Sequence, residues 1–154
     1  MKIVVGCDEA AYRLKELVAK HLKELGHEVL DVGVYNEDPS LYPDTAEKLC
    51  ARIADGSCER GVLMCGTGIG MAITANKIPG VRAAVCHDLF SVERSRKSNN
   101  CQVMCMGARI VAPQYALMLL DHWLDCDFAG GGSAAKVEEI GAVEARHKHD
   151  PVTC

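Results

Sequence analysis

The stretch Cys65-Gly66-Thr67-Gly68-Ile69-Gly70 places a thiol, a hydroxyl and three glycines in consecutive positions. Glycines let a backbone approach a ligand closely, and successive free N–H groups ahead of a helix cradle an anion. The G-x-G-x-G spacing lacks both the Walker lysine and the dinucleotide G-x-G-x-x-G pattern. A nucleotide, a smaller anion and a turn needed only for packing all remain open. Amides and a helix N-terminus facing Cys65 can favour its thiolate, which would serve as nucleophile or base; the alternative is a cysteine of the core. Asp8 can hydrogen-bond a ligand hydroxyl or cap the helix that follows it. His87-Asp88 offers a catalytic imidazole or a second cap. Arg94, Arg96 and Lys97 read as a solvated helix face, and His147-Lys148-His149 as a frayed terminus rather than a metal tract.

Apolar runs alternate with helical patterns along the chain. Strands are expected at 3–7, 28–33, 61–65, 81–86 and 102–106. Helices are expected at 10–25, 44–54, 71–77, 89–97 and 113–124, with a last one capped by Ser133 and running to about His147. Continuous buried strands alternating with helices imply an α/β fold, a doubly wound five-stranded parallel sheet sandwiched by helices, with a C-terminal helix. Ligands of such sheets bind beyond the carboxyl ends of the strands. The loops after strands one, three and four carry Asp8, Cys65 and His87 to that edge.

The chain has 154 residues, the size of one domain, and its composition, 49% hydrophobic and 25% charged, is that of a folded globular protein. Net charge is −4 without a basic run, which argues against nucleic acid, and no apolar stretch reaches membrane-spanning length. The first residues lack the apolar region of a signal peptide, so a cytoplasmic location is expected. Nine cysteines, an odd number without C-x-x-C, suit free thiols better than a disulfide scaffold or a zinc ribbon. Cys101 and Cys105 lie in an apolar run and read as a buried strand.

The segment Gly61-Val62-Leu63-Met64-Cys65-Gly66-Thr67-Gly68-Ile69-Gly70, continuing to Ala75-Asn76-Lys77, resembles the ribose-5-phosphate isomerase B family, which includes the galactose-6-phosphate isomerase subunits. Gly6-Cys7-Asp8, Tyr42-Pro43-Asp44, Val81-Arg82-Ala83-Ala84, Ser98-Asn99-Asn100 and Met106-Gly107-Ala108-Arg109 extend the resemblance over nearly the whole chain. It implies a Rossmann-like homodimer with active sites between subunits, dimers pairing into tetramers being left open. Neither metal nor cofactor is implied, and the ligand is a small phosphorylated sugar. The implied reaction interconverts aldose and ketose phosphates through a cis-enediol(ate). Carried over by position, Cys65 is the proton-transfer base. Thr67 and the amides of Gly66, Gly68, Ile69 and Gly70 hold the oxyanion. Asp8 and Asn99 bind sugar hydroxyls, and Arg109 and Lys136 bind phosphate. The segment from about residue 130 to 154 is expected to pack on a partner subunit.

Three departures from the pattern bear on the substrate. Glu9 stands where the resemblance implies a histidine, and either selects a substrate hydroxyl pattern or projects into solvent; Ser98 stands where it implies the ring-opening histidine, and Gly132-Ser133 where it implies Arg-His. Lys136 keeps a charge without the bidentate fork of arginine. A tetrose 4-phosphate cannot close a furanose ring, because its C4 oxygen carries the phosphate, and needs no ring-opening acid. The Ser98-Asn99-Asn100 pattern also resembles the branch that includes erythrulose-4-phosphate isomerases. A tetrose 4-phosphate and ribose 5-phosphate are the leading substrates; for the latter, Ser98 or His87 must open the ring or the open-chain form must be taken. Hexose 6-phosphates, a non-catalytic sugar-phosphate-binding subunit, a thiol-redox protein and a nucleotide-binding flavodoxin-like module are the alternatives.

Overall fold

The computed structural model describes residues 1–147, so Lys148 and His149 of the tail tract lie outside the described residues. Five parallel strands form one sheet: β1 (Lys2–Cys7), β2 (Glu28–Asp31), β3 (Arg60–Cys65), β4 (Ala83–Val85) and β5 (Val103–Gly107). Their order is β2-β1-β3-β5-β4. Every residue of β3 and β5 is buried, which is why these strands read as unbroken apolar runs rather than as alternating ones.

The helices are α1 (Tyr12–Glu24), α2 (Tyr42–Ala54), α3 (Ile69–Ala75), α4 (Leu89–Lys97), α5 (Pro113–Leu124) and α6 (Ala134–Arg146). Successive strand side chains point to opposite faces. Ile3, Val5, Val62, Met64, Met104 and Met106 pack with Leu14, Val92, Leu119 and Trp123 from α1, α4 and α5. Val4, Leu63, Cys65, Val103 and Cys105 pack with Leu49, Met71 and Ala72 from α2 and α3. The expected doubly wound sandwich is what the chain forms. Among the described residues no helix is long and apolar enough to cross a membrane.

Several boundaries move for local reasons. The Asp8 carboxylate accepts from Ala11 N at 3.2 Å and caps a 3-10 turn over Glu9–Ala11, so α1 begins at Tyr12 rather than Ala10. The short β4 replaces an expected run from 81 to 86 because side chains take over its ladder. Arg82 N donates to Gln102 Oε1 and Ala83 N to Asn76 Oδ1, both at 2.9 Å. α3 starts two residues early, its first turn closed by Ala72 N donating to Gly68 O. Ser133 occupies the N-cap position of α6 but makes no side-chain cap bond.

Arg96 corrects the reading of a solvated face on α4. Its side chain is buried, with Nη1 donating to Cys101 O at 2.6 Å and to Asn100 Oδ1 at 3.2 Å. Buried Arg60 lies nearby: Nη1 donates to Trp123 O at 2.8 Å and Nη2 to Cys126 O at 2.9 Å. The last carbonyls of α5 have no partner within the helix, so a guanidinium fork is what completes them. Arg94 and Lys97, by contrast, stay half-exposed and pair with Glu93.

Candidate active site

The chain passes from β2 across β1 to β3, so the carboxyl ends of β1 and β3 lie side by side at the point where strand order reverses. Crevices form there in open α/β sheets. Asp8 N donates to Met64 O at 3.1 Å and draws the two strand ends together.

Cys65 ends β3 and points to the α3 face. Its Sγ accepts from Gly68 N at 3.0 Å, so the loop wraps around the sulfur. Gly68 has φ +77°, a left-handed conformation that glycine takes at little cost, and a Cβ there would meet the Met106 backbone at 3.0–3.2 Å. Gly107 allows a still closer backbone approach: a Cβ there would lie 2.7 Å from Thr67 Cα. The loop therefore rests on the bare end of β5. Ile69 N donates to Thr67 Oγ1 at 3.3 Å, which leaves the Thr67 hydroxyl proton available to a ligand. The amides of Gly66, Thr67 and Gly70 find no acceptor among the described residues. This is the anion cradle expected from the glycine spacing.

Charged groups surround it. Asp8 is buried, and its ionisation is pushed up by that burial and by Glu9. The Arg109 guanidinium lies over Gly66, whose absent Cβ would sit 3.4 Å from Cζ and Nη1. Arg109 makes no ion pair at contact distance among the described residues, although Asp8 and Glu9 both feel its charge. Glu9 has turned to the loop after β2: Oε2 accepts from Ser40 Oγ at 2.7 Å and from Ser40 N at 3.1 Å, and the hydroxyl holds its ionisation below the usual carboxylate range. His87 stands beyond Gly107, whose N–H donates to His87 Nε2 at 2.9 Å. Asp88 caps α4 through Ser91 N at 2.8 Å.

Ser98, Asn99 and Lys136 are not brought to this edge. α4 runs from the carboxyl-end edge of the sheet to its amino-end edge, so Ser98 and Asn99 lie just before β5 begins. Ser98 Oγ accepts from Arg94 Nη1 at 3.4 Å, and Asn99 Nδ2 donates to Arg94 O at 2.9 Å. Lys136 is exposed on α6, which docks at the same amino-end edge through Glu144, whose carboxylate accepts from Gly80 N at 3.0 Å. The candidate residues thus divide between two ends of one sheet.

The sequence matches the ribose/galactose isomerase family over residues 3–140. The chain belongs to that family. Ribose-5-P isomerase B of Listeria innocua is 49% identical over 96% of this chain and 100% of its own length. D-erythrulose-4-phosphate isomerase of Pectobacterium atrosepticum is 48% identical over 97% of this chain and 99% of its own. Among solved structures, ribose-5-phosphate isomerase B of Clostridium thermocellum superposes with a TM-score of 0.95 at 40% identity, covering 96% of this chain and 100% of that one. This family member is therefore an isomerase with the Rossmann-like fold that the resemblance implied.

Two residues of the site were not singled out from the sequence. Tyr42 opens α2 and lays its ring on Gly70, where a Cβ would lie 2.6 Å from Cε2 and Cζ. Gly107 carries the cradle from behind. The available signals were the lack of a side chain at Gly70 and at the end of β5, and neither names its partner. Among the described residues, no group of three or more His, Cys, Asp or Glu could hold a metal ion.

Proposed function

We propose that this isomerase interconverts the aldose and ketose forms of a small sugar phosphate, with Cys65 moving the proton between C1 and C2. The observation that carries this reading is Cys65 held by Gly68 N at 3.0 Å inside a loop with unpaired amides. Abstracting a proton beside a carbonyl needs a positioned base, worth about 10²–10⁴-fold. It also needs donors aimed at the new oxyanion, each worth about 10²–10³-fold. The Gly66, Thr67 and Gly70 amides and the Thr67 hydroxyl supply them. Asp8 would take sugar hydroxyls and Arg109 the phosphate, as a fork matched to its oxygens.

The active unit in this reading is a homodimer. The amino-end edge of one protomer, with Ser98, Asn99 and Lys136, meets the carboxyl-end edge of its partner. Two features support it. Ile69, Ile73, Leu89, Phe90 and Ile110 are exposed around the cradle, Phe90 at 72%. None of the residues of α6 is buried, and Ile140 and Val143 are open. Both faces are apolar enough to need cover.

The substrate we favour has four carbons, a tetrose or tetrulose 4-phosphate. Ser98 favours it, because a serine hydroxyl is too weak an acid to open a furanose ring and this substrate has none to open. Purified protein should be assayed on erythrose 4-phosphate, ribose 5-phosphate, allose 6-phosphate and galactose 6-phosphate, with Cys65→Ala as control. Preference for the four-carbon sugar, lost in the control, is expected. Preference for ribose 5-phosphate would overturn the substrate assignment, and turnover that survives Cys65→Ala would overturn the role of Cys65. Sedimentation should give twice the chain mass.

A further inference from the structure

His87 has a half-buried ring that reaches back from the end of β4 to β5. Gly107 N donates to its Nε2 at 2.9 Å. A backbone N–H can only donate, so Nε2 must present a lone pair, and a neutral ring then carries its proton on Nδ1. The imidazolium would set two donors against each other. Burial acts in the same direction and lowers His87 below the ordinary histidine range, against a smaller opposing pull from Asp88. The Nδ1 edge has no partner among the described residues and is not sealed from solvent.

The reason for this anchor lies in the sheet. β4 pairs with β5 only as far as Val85 and Cys105, so the Gly107 N–H that faces β4 has no strand partner. His87 supplies the acceptor. Gly107 is also the residue paired with Cys65 across the β3–β5 ladder and the one on which Thr67 rests. The Gly107 N–H points away from β3, and neighbouring strands lie about 4.8 Å apart, so a ring bonded there stands roughly two strand spacings from the strand that ends in Cys65, beside the Gly107–Thr67 contact that carries the cradle. A sugar phosphate of four or five carbons lying across the cradle would reach from the Cys65 side of β5 to the His87 side.

We infer that His87 is a neutral hydrogen-bond donor of the reaction site, its Nδ1–H contacting a substrate oxygen while Nε2 stays locked on Gly107. This rests on the isomerase reading of Cys65. A neutral imidazole donates to a substrate oxygen without bringing a competing positive charge or a labile acid proton. The arrangement is separate from ring opening, which would require the imidazolium.

Two side chains separate the donor from the anchor. In His87→Asn the amide nitrogen can stand where Nδ1 stood, but Gly107 loses its acceptor. In His87→Gln the amide oxygen can reach Gly107, but no donor stands at the Nδ1 position. The assay compares kcat and KM for wild type, Cys65→Ala, His87→Asn, His87→Gln and His87→Ala. His87→Asn should keep kcat within about tenfold, while His87→Gln and His87→Ala lose about 100-fold with KM little changed. Wild-type activity in His87→Gln with loss in His87→Asn would reduce His87 to an anchor and overturn the inference, leaving the Cys65 reading intact. A wild type inactive on every sugar phosphate, or an active Cys65→Ala, would overturn both. Nitrogen NMR of ¹⁵N-histidine protein, with His87→Gln for assignment, tests the tautomer without turnover. A protonated Nδ1 and bare Nε2 at pH 7 are expected; the reverse tautomer or an imidazolium overturns the inference.

Discussion

Gly107→Ala tests whether the cradle is positioned by backbone contact. A Cβ at 107 would lie 2.7 Å from Thr67 Cα and 2.8 Å from Thr67 C and Ile110 Cγ1, where ordinary contact begins at 3.4 Å. Ile110 can change rotamer, but a backbone atom cannot, so Thr67 must retreat by about 3.4 − 2.7 = 0.7 Å. A misplacement of 1 Å in catalytic geometry costs about 100-fold, so this one should lower kcat/KM by about 25- to 100-fold. Overpacking of this kind costs about 1–3 kcal/mol, and at about 2–4 °C per kcal/mol the midpoint should fall between about 2 and 12 °C. The assay is turnover of the best panel substrate beside a thermal melt. Gly132→Ala is the control, since no atom lies within 4 Å of its added carbon. A Gly107→Ala enzyme with kcat/KM within about twofold of wild type would refute the claim that Thr67 is held by this contact.

Four further outcomes follow from the contacts. Arg60→Met should lower stability by about 2–4 kcal/mol in urea unfolding, because the carbonyls of Trp123, Leu124 and Cys126 lose a charged donor. Asp127→Ala, which removes its 92%-exposed salt-bridge partner, should change stability by under about 0.5 kcal/mol. Asp8→Asn should keep the cap on Ala11 yet raise the melting temperature at pH 7 while weakening substrate binding. Burial raises the folded-state ionisation of Asp8, so its charged form opposes folding above that range. The stability gain of the variant should therefore shrink as pH falls through the carboxylate range and Asp8 protonates. Cys7, Cys50 and Cys86, pushed up to about 12 by burial, should resist iodoacetamide at pH 8 in the native protein, as read by mass spectrometry. Rapid labelling of any of them would show that its strand or helix opens.

Glu9 and Arg96 show where reading from the sequence stops. Glu9 follows Asp8 and could have faced either a ligand or solvent. Its direction was decided by Ser40, 31 residues later, which offers two donors to one oxygen. Arg96 sits among charged neighbours on α4 and looked solvated. It is buried because the carbonyls of Cys101 and Cys126 face the same spot and accept from its guanidinium, the second shared with Arg60. In both cases the deciding partner is remote in sequence, and no local pattern encodes it.

What the sequence determined by itself was local. Short apolar runs without alternation, as at β1, β3 and β5, read as strands covered on both faces, and their alternation with helical periodicity specifies a parallel sandwich. Three glycines beside a cysteine at a strand end specify a close-approaching loop with free amides. Tertiary structure decided which groups meet. Strand order set Asp8 beside Cys65, and the short β4 left Gly107 N–H for His87. The run of α4 carried Ser98 and Asn99 to the opposite edge. These outcomes depend on how elements stack, and stacking is governed by the summed burial of many side chains, whereas a loop's own residues set only its local conformation.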